Sequence, residues 1–126
     1  MDRQCIETPD APAAVGPYSQ AVRHGGLVFL SGQIALDPAS GKLVSDDIGA
    51  QTRQVFRNLG AVCRAAGGDL DAILKLTIYL TDLGNFATVN EIMAATFKAP
   101  YPARATIGVA ALPLGAEVEV EAVLGL

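Results

Sequence analysis

A chain of 126 residues has room for one hydrophobic core and none for a second, so residues 1–126 are expected to form a single domain. Apolar residues make up 51% of it, yet they are interrupted too often to supply the ~20 uninterrupted positions of a membrane helix, and the N-terminus lacks the basic and apolar segments of a secretory signal. A soluble cytoplasmic protein is expected, and the net charge of −4, with no Lys/Arg cluster interleaved with aromatics, argues against nucleic-acid binding.

Tyr18 to Arg23 and Leu27 to Ser31 read as two strands of a hairpin turning at His24-Gly25-Gly26. Gly32 to Leu43, with Asp37-Pro38 and Ser40-Gly41, reads as a loop. From Asp47 the apolar period lengthens. Ile48, Val55, Leu59, Val62, Cys63 and Ala66 fall on one helical stripe, with Asp46 or Asp47 as N-cap and Gly67-Gly68 as terminator. Ile73 to Thr81 alternates as a strand, predicting Leu74, Leu76, Ile78 and Leu80 inward and Lys75, Thr77, Tyr79 and Thr81 outward. A second helix is predicted from about Asn85 to Phe97, with Phe86, Val89, Met93 and Phe97 on its apolar face. The order predicts an α+β fold, a single mixed β-sheet with both helices packed on one face. The other face must then be solvated or covered by another subunit, and Thr77 and Tyr79 suit either.

The last two strands carry the chemistry. In Ala103-Arg104-Ala105-Thr106-Ile107-Gly108-Val109, alternation leaves Arg104, Thr106 and Gly108 on one side, and a guanidinium in such a strand calls for an anion. Glu117-Val118-Glu119-Val120-Glu121 alternates likewise, and Leu112-Pro113-Leu114-Gly115 reads as the turn between them. Folded back as an antiparallel pair, these strands would set Arg104 beside Glu119 or Glu121, depending on register. These residues alone leave open whether that is a ligand site or a solvent-facing ion pair. Cys5 and Cys63 make no spaced pair and are expected to be free thiols, Cys63 in the core. His24 is the single histidine, and its place is that of a turn residue, so no zinc site built by the chain is expected.

Gly16-Pro17-Tyr18-Ser19-Gln20-Ala21-Val22, Ser31-Gly32-Gln33, Asn90, Pro102-Ala103-Arg104, Leu112-Pro113 and Val118-Glu119-Val120-Glu121-Ala122 occur in the order and spacing of the Rid/YjgF family. The resemblance spans nearly the whole chain, and the arginine-containing form resembles the RidA type of reactive-intermediate deaminase. It implies a chorismate-mutase-like fold, a homotrimer with pockets at subunit interfaces, and hydrolysis of 2-imino acids, the tautomers of 2-aminoacrylate and 2-aminocrotonate, to 2-keto acids and ammonia. Ribonuclease and translation-inhibitor labels also attach to the family, and an acidic chain with one histidine gives them little support.

Carried over residue by residue, the resemblance makes Arg104 the carboxylate-binding arginine and Glu119 the glutamate that holds the attacking water. It places Tyr18, Ser31, Gly32, Asn90, Tyr101 and Thr106 around the substrate, with the Gly32 amide helping Arg104. Lysine could not copy the two parallel hydrogen bonds of a guanidinium, and a carboxylate beside a water can orient it and relay protons. Asn90 is expected to be a structural hydrogen-bonding residue or pocket wall. Thr106 departs from the cysteine of several family members, and a backbone carbonyl role at that position would make the change harmless. With those roles, Tyr18, Tyr101 and Thr106 would form a mostly neutral wall around the substrate side chain, and imino acids with short apolar side chains are expected to turn over best. No metal, flavin or pyridoxal phosphate is called for. The implied partners are small 2-imino and 2-keto acids and the pyridoxal-phosphate enzymes whose released enamines would be destroyed, with no nucleic acid and no membrane. The alternative is a non-catalytic, ligand-sensing or chaperone-like trimer binding small carboxylates in the same pocket.

Overall fold

The computed structural model describes residues 2–126. Its strands are β1 (Gln4–Ile6), β2 (Ala21–His24), β3 (Leu27–Gln33), β4 (Ile73–Leu80), β5 (Ala103–Gly108) and β6 (Val118–Gly125), and its helices are α1 (Ile48–Ala65) and α2 (Phe86–Thr96). They form one six-stranded mixed sheet in the order β1-β2-β3-β6-β4-β5, in which β4 and β5 run parallel and every other pair is antiparallel. No described helix is long and apolar enough to cross a membrane.

α1 begins where Asp47 Oδ2 accepts a hydrogen bond from the Ala50 N–H at 2.8 Å, satisfying an amide that has no partner within the helix. It ends where Gly67, at φ +100°, reverses the chain so that the Gly68 and Gly67 amides return to the Cys63 and Arg64 carbonyls. Asp47→Ala is expected to destabilise the fold by about 1 kcal/mol, measured by urea denaturation. The predicted stripe is buried from Val55 to Ala66, and Phe56 meets Phe97 edge-to-face with ring centroids 5.3 Å apart. Gln51, Thr52 and Asn58 are buried as well, which the apolar period did not announce. They bind connecting segments: Gln51 takes the Glu117 N–H and donates to the Ser45 carbonyl, while Asn58 donates to the Ile34 and Leu36 carbonyls.

The expected pairing of the last two strands does not occur, because β4 lies between them. The cause is hydrophobic. β6 turns Val118, Val120, Ala122 and Leu124 inward, each 5% exposed or less, and belongs in the middle of the sheet. β5 offers Arg104, Thr106 and Gly108 on the corresponding side and suits only an edge. α2 carries the chain from β4 to β5 as a crossover, and a crossover makes the pair parallel. Arg104 is therefore in register with Leu76, and Glu119 with Tyr79.

Two further expectations change. Leu74 is 53% exposed and Ile73 takes the inward place, because the register slips between Ile73 and Lys75. Leu74 then lies over Gly125, where an added Cβ would come within 3.1 Å of its Cδ1. β3 also runs past Ser31 to Gln33, through an irregularity that puts Gly32 in a strand bulge instead of a loop. β1, too short to show in the apolar pattern, extends the β2 edge.

Candidate functional site

Arg104 sits on the outermost strand with its side chain on the helix side, where Leu76 and Ile78 lead from β4. Its Nη1 donates to Asn90 Oδ1 at 2.7 Å and lies 3.5 Å from Met93 Sδ, and its Cζ stands 5.3 Å from the Phe86 ring centroid. Residues 86, 90 and 93 share one stripe of α2, so a single helix face orients the guanidinium. All of these partners are neutral. Among the described residues the one ion pair is Arg64–Asp69, so the exposed ion pair that alternation allowed for Arg104 does not form. A fixed, unneutralised guanidinium is a receptor for a carboxylate or another planar oxyanion. It opens on a cavity of about 390 Å³ lined by Asn90, Met93, Ala94, Tyr101, Pro102 and Arg104.

Asn90 thus has the partner that its position on the helix demanded. Thr106 shares the Arg104 side of β5, and its Oγ1 is buried with no hydrogen-bond partner among the described residues. Met93 and Phe86 were assigned to the core by the helical period. The signal for their second role was Asn90 lying on the same stripe.

Glu119 belongs to another surface. It projects from β6 on the side away from the helices, beside Tyr79 and over Gly32. A Cβ at Gly32 would come within 3.0 Å of Glu119 Cδ and collide with its carboxylate, so the bulge glycine makes the space in which that carboxylate sits. Burial, and after it the negative charge of Glu121, pushes the Glu119 carboxyl above the usual carboxylate range. Glu121 itself accepts the Tyr79 hydroxyl, which in turn pushes that phenol up. Glu119 and Gly32 line a cleft of about 810 Å³ together with Tyr18, Ser31, Val15 and Leu114 among others. Ser31 Oγ donates to the Ser19 carbonyl at 2.6 Å, which ties the Tyr18 loop to β3.

The expected residues therefore fall into two groups. Asn90, Tyr101 and Arg104 meet in one cavity, and Tyr18, Ser31, Gly32 and Glu119 in the other, with no lining residue in common. Thr106 lines neither, although it shares Arg104's side of β5. Val15 and Leu114, exposed apolar residues of the second cleft, were not anticipated there. Leu114 stands at φ 57°, a conformation unusual for a residue with a side chain. No three His, Cys, Asp or Glu side chains among the described residues gather as a metal site.

The family model described as Endoribonuclease L-PSP matches residues 8–124. The chain is 50% identical to the chloroplastic Reactive Intermediate Deaminase A of Arabidopsis thaliana, over 100% of this chain and 67% of that one. It is 47% identical to the human 2-iminobutanoate/2-iminopropanoate deaminase, over 96% and 88%. The crystal structure of RidA from an Antarctic Psychrobacter superposes with a TM-score of 0.95 at 50% identity, covering 98% of this chain and 99% of that one. With its fold, its ordered motifs and nearly its full length in agreement, the chain belongs to the Rid/YjgF family.

Proposed function

We propose that the protein is a deaminase that hydrolyses small 2-imino acids to 2-keto acids and ammonia, in sites shared between subunits. The observation that carries the shared site is the placement of Arg104 and Glu119 on opposite faces of the sheet. A three- or four-carbon imino acid must touch both at once, one at its carboxylate and the other at the water beside C2. The Arg104 edge of one chain seated against the Glu119 cleft of another would bring them together. These are different patches, so the contact is heterologous, and repeating it by rotation closes a ring. The family resemblance sets the number at three. Phe29, Leu74 and Ile107, each more than 40% exposed on the open face, supply apolar area for the contact.

In such a site Arg104 clamps the substrate carboxylate through two N–H groups while Asn90 holds Nη1 in place. The Gly32 amide adds a donor. Glu119, with the Thr106 carbonyl opposite, orients a water toward the imine carbon. The water adds across C=N, its oxygen to carbon and a proton to nitrogen, giving a carbinolamine. Glu119 carries the hydroxyl proton to the nitrogen, ammonia leaves and the keto acid remains. Imines hydrolyse in water unaided, so positioning and proton relay are sufficient catalysis. Tyr18 and Tyr101 provide a neutral wall that favours short apolar side chains. The names of the human and Arabidopsis relatives support this reading. The physiological result would be protection of pyridoxal-phosphate enzymes from enamines released during catalysis.

Glu119 accepts a proton only when ionised, and its folded pKa lies above the ordinary value of 4.5. Turnover should therefore fall as pH drops, with the midpoint of the acid limb above the usual carboxylate range, as kcat/KM measured against pH would show.

Mixing inactive subunits tests the shared site. Arg104→Lys and Glu119→Gln chains, unfolded and reassembled together in equal amounts, should recover about a quarter of wild-type activity, because a quarter of random contacts join an intact arginine to an intact glutamate. Light scattering of the wild type should return three chain masses. If the mixture is no more active than either parent, the site lies within one chain. Keto-acid binding by a wild type that never turns over imines would favour the non-catalytic alternative.

A further inference from the structure

Away from both halves of that site, α1 presents Arg53, Arg57 and Arg64 along one helical face, a third of the nine basic residues of a chain whose net charge is −4. They line a cavity of about 250 Å³ between α1, the turn Leu70–Ala72 and the last turn of α2. Its other walls are Phe56, Gly60, Leu70 and Thr96, so three arginine side chains line it and no acidic residue does. Like charges four residues apart on a helix repel, and glycine inside a helix is unfavourable. The sequence keeps both.

Each guanidinium has a support. Arg64 folds back over Gly60, where an added Cβ would approach its Nη1 to 3.1 Å, and is held there by Asp69. Arg53 lies over Gly49 in the same way, at 3.3 Å from such a Cβ. Asp47 stands beside that glycine, but its carboxylate caps α1 and forms no ion pair with Arg53. Arg57 donates from Nε and Nη2 to Gln54 Oε1, and Gln54 is fixed by the buried Asn58. Thr96 gives its hydroxyl to the Ile92 carbonyl, occupying an oxygen at the end of α2. Asp69 neutralises Arg64, which leaves the Arg53 and Arg57 guanidiniums outside any ion pair, with the Asp47 carboxylate near Arg53.

We propose that this cavity binds a phosphate group, either as the free ion or at the end of a small monoester. Two unpaired guanidiniums match a dianion, with Arg64 as a third donor, and the volume suits a ligand of a few heavy atoms. None of these residues belongs to the imine site, so the proposal stands or falls separately from the deaminase reading.

The test is an amide NMR titration of the whole protein with sodium phosphate, with glycerol 3-phosphate and with sodium chloride at matched ionic strength. Saturable shifts at Arg53, Arg57, Gly60 and Leu70 are expected with both phosphates and not with chloride. The double variant R53Q/R57Q should weaken the binding by about tenfold or more, with imine hydrolysis unchanged. Tighter binding of the ester would assign the Leu70 wall to an organic portion, and equal binding would assign the site to phosphate alone. Shifts that never saturate, that chloride reproduces, or that survive R53Q/R57Q at full affinity would overturn the proposal.

Discussion

Arg104→Lys should lower imine hydrolysis by roughly 10²- to 10³-fold, the range seen when one preorganised donor is removed from an active site. Lysine keeps the positive charge. It loses the planar pair of N–H groups, and it cannot donate to Asn90 and still present two parallel hydrogen bonds to a carboxylate. The fold should survive, because Arg104 is exposed on an edge strand and its contacts with Met93 and Phe86 lie at the rim of the core. Calorimetry with the product keto acid should show the same loss in affinity as kinetics shows in kcat/KM. A lysine variant with wild-type turnover would remove Arg104 from the mechanism.

Glu119→Gln should reduce turnover by about 10²-fold or more while leaving keto-acid affinity near that of the wild type, because the amide keeps shape and hydrogen bonding but cannot take a proton. The same substitution should stabilise the protein at neutral pH. The folded chain holds a proton on Glu119 more tightly than the unfolded chain does, so stability falls as pH rises from the ordinary carboxylate pKa through the raised folded value. Above both, the full penalty of a half-buried anion is present. Glutamine carries none of it, so the variant should melt higher at pH 7 and the difference should vanish below the ordinary carboxylate range. Gly32→Ala approaches the same group from the other side. Its methyl would occupy the space of the Glu119 carboxylate, a flexible group that can swing away, so activity should drop with little change in melting temperature. A Glu119→Gln variant at full rate, or one that melts lower, would contradict this account.

The helices, the mixed sheet and the separate candidate residues were legible because each has a local signature. Asp47 and Gly67 bracket α1, and Val118, Val120, Ala122 and Leu124 alternate without interruption. Strand partnership was not legible in the same way. Glu117 to Glu121 follows Ala103 to Val109 after a turn-like Leu112-Pro113-Leu114-Gly115, and nearness in sequence suggested a hairpin. What decides the pairing is a ranking of apolarity across the whole sheet, which sends β6 to the centre and leaves β5 outside. The same ranking set Arg104 against α2, where Asn90 and Met93 hold it. The slip at Leu74 was equally hidden, since it depends on Gly125, far along the chain, giving a leucine somewhere to lie.

The division of Arg104 and Glu119 between two faces has a consequence for how such an enzyme behaves in a cell. Catalytic capacity would scale with the fraction of chains that have met their neighbours, so dilution would silence the protein without unfolding it, and a keto acid bridging two chains would favour the assembly that binds it. Specific activity would then report the protein's own abundance, and total activity would rise more steeply than concentration until association is complete.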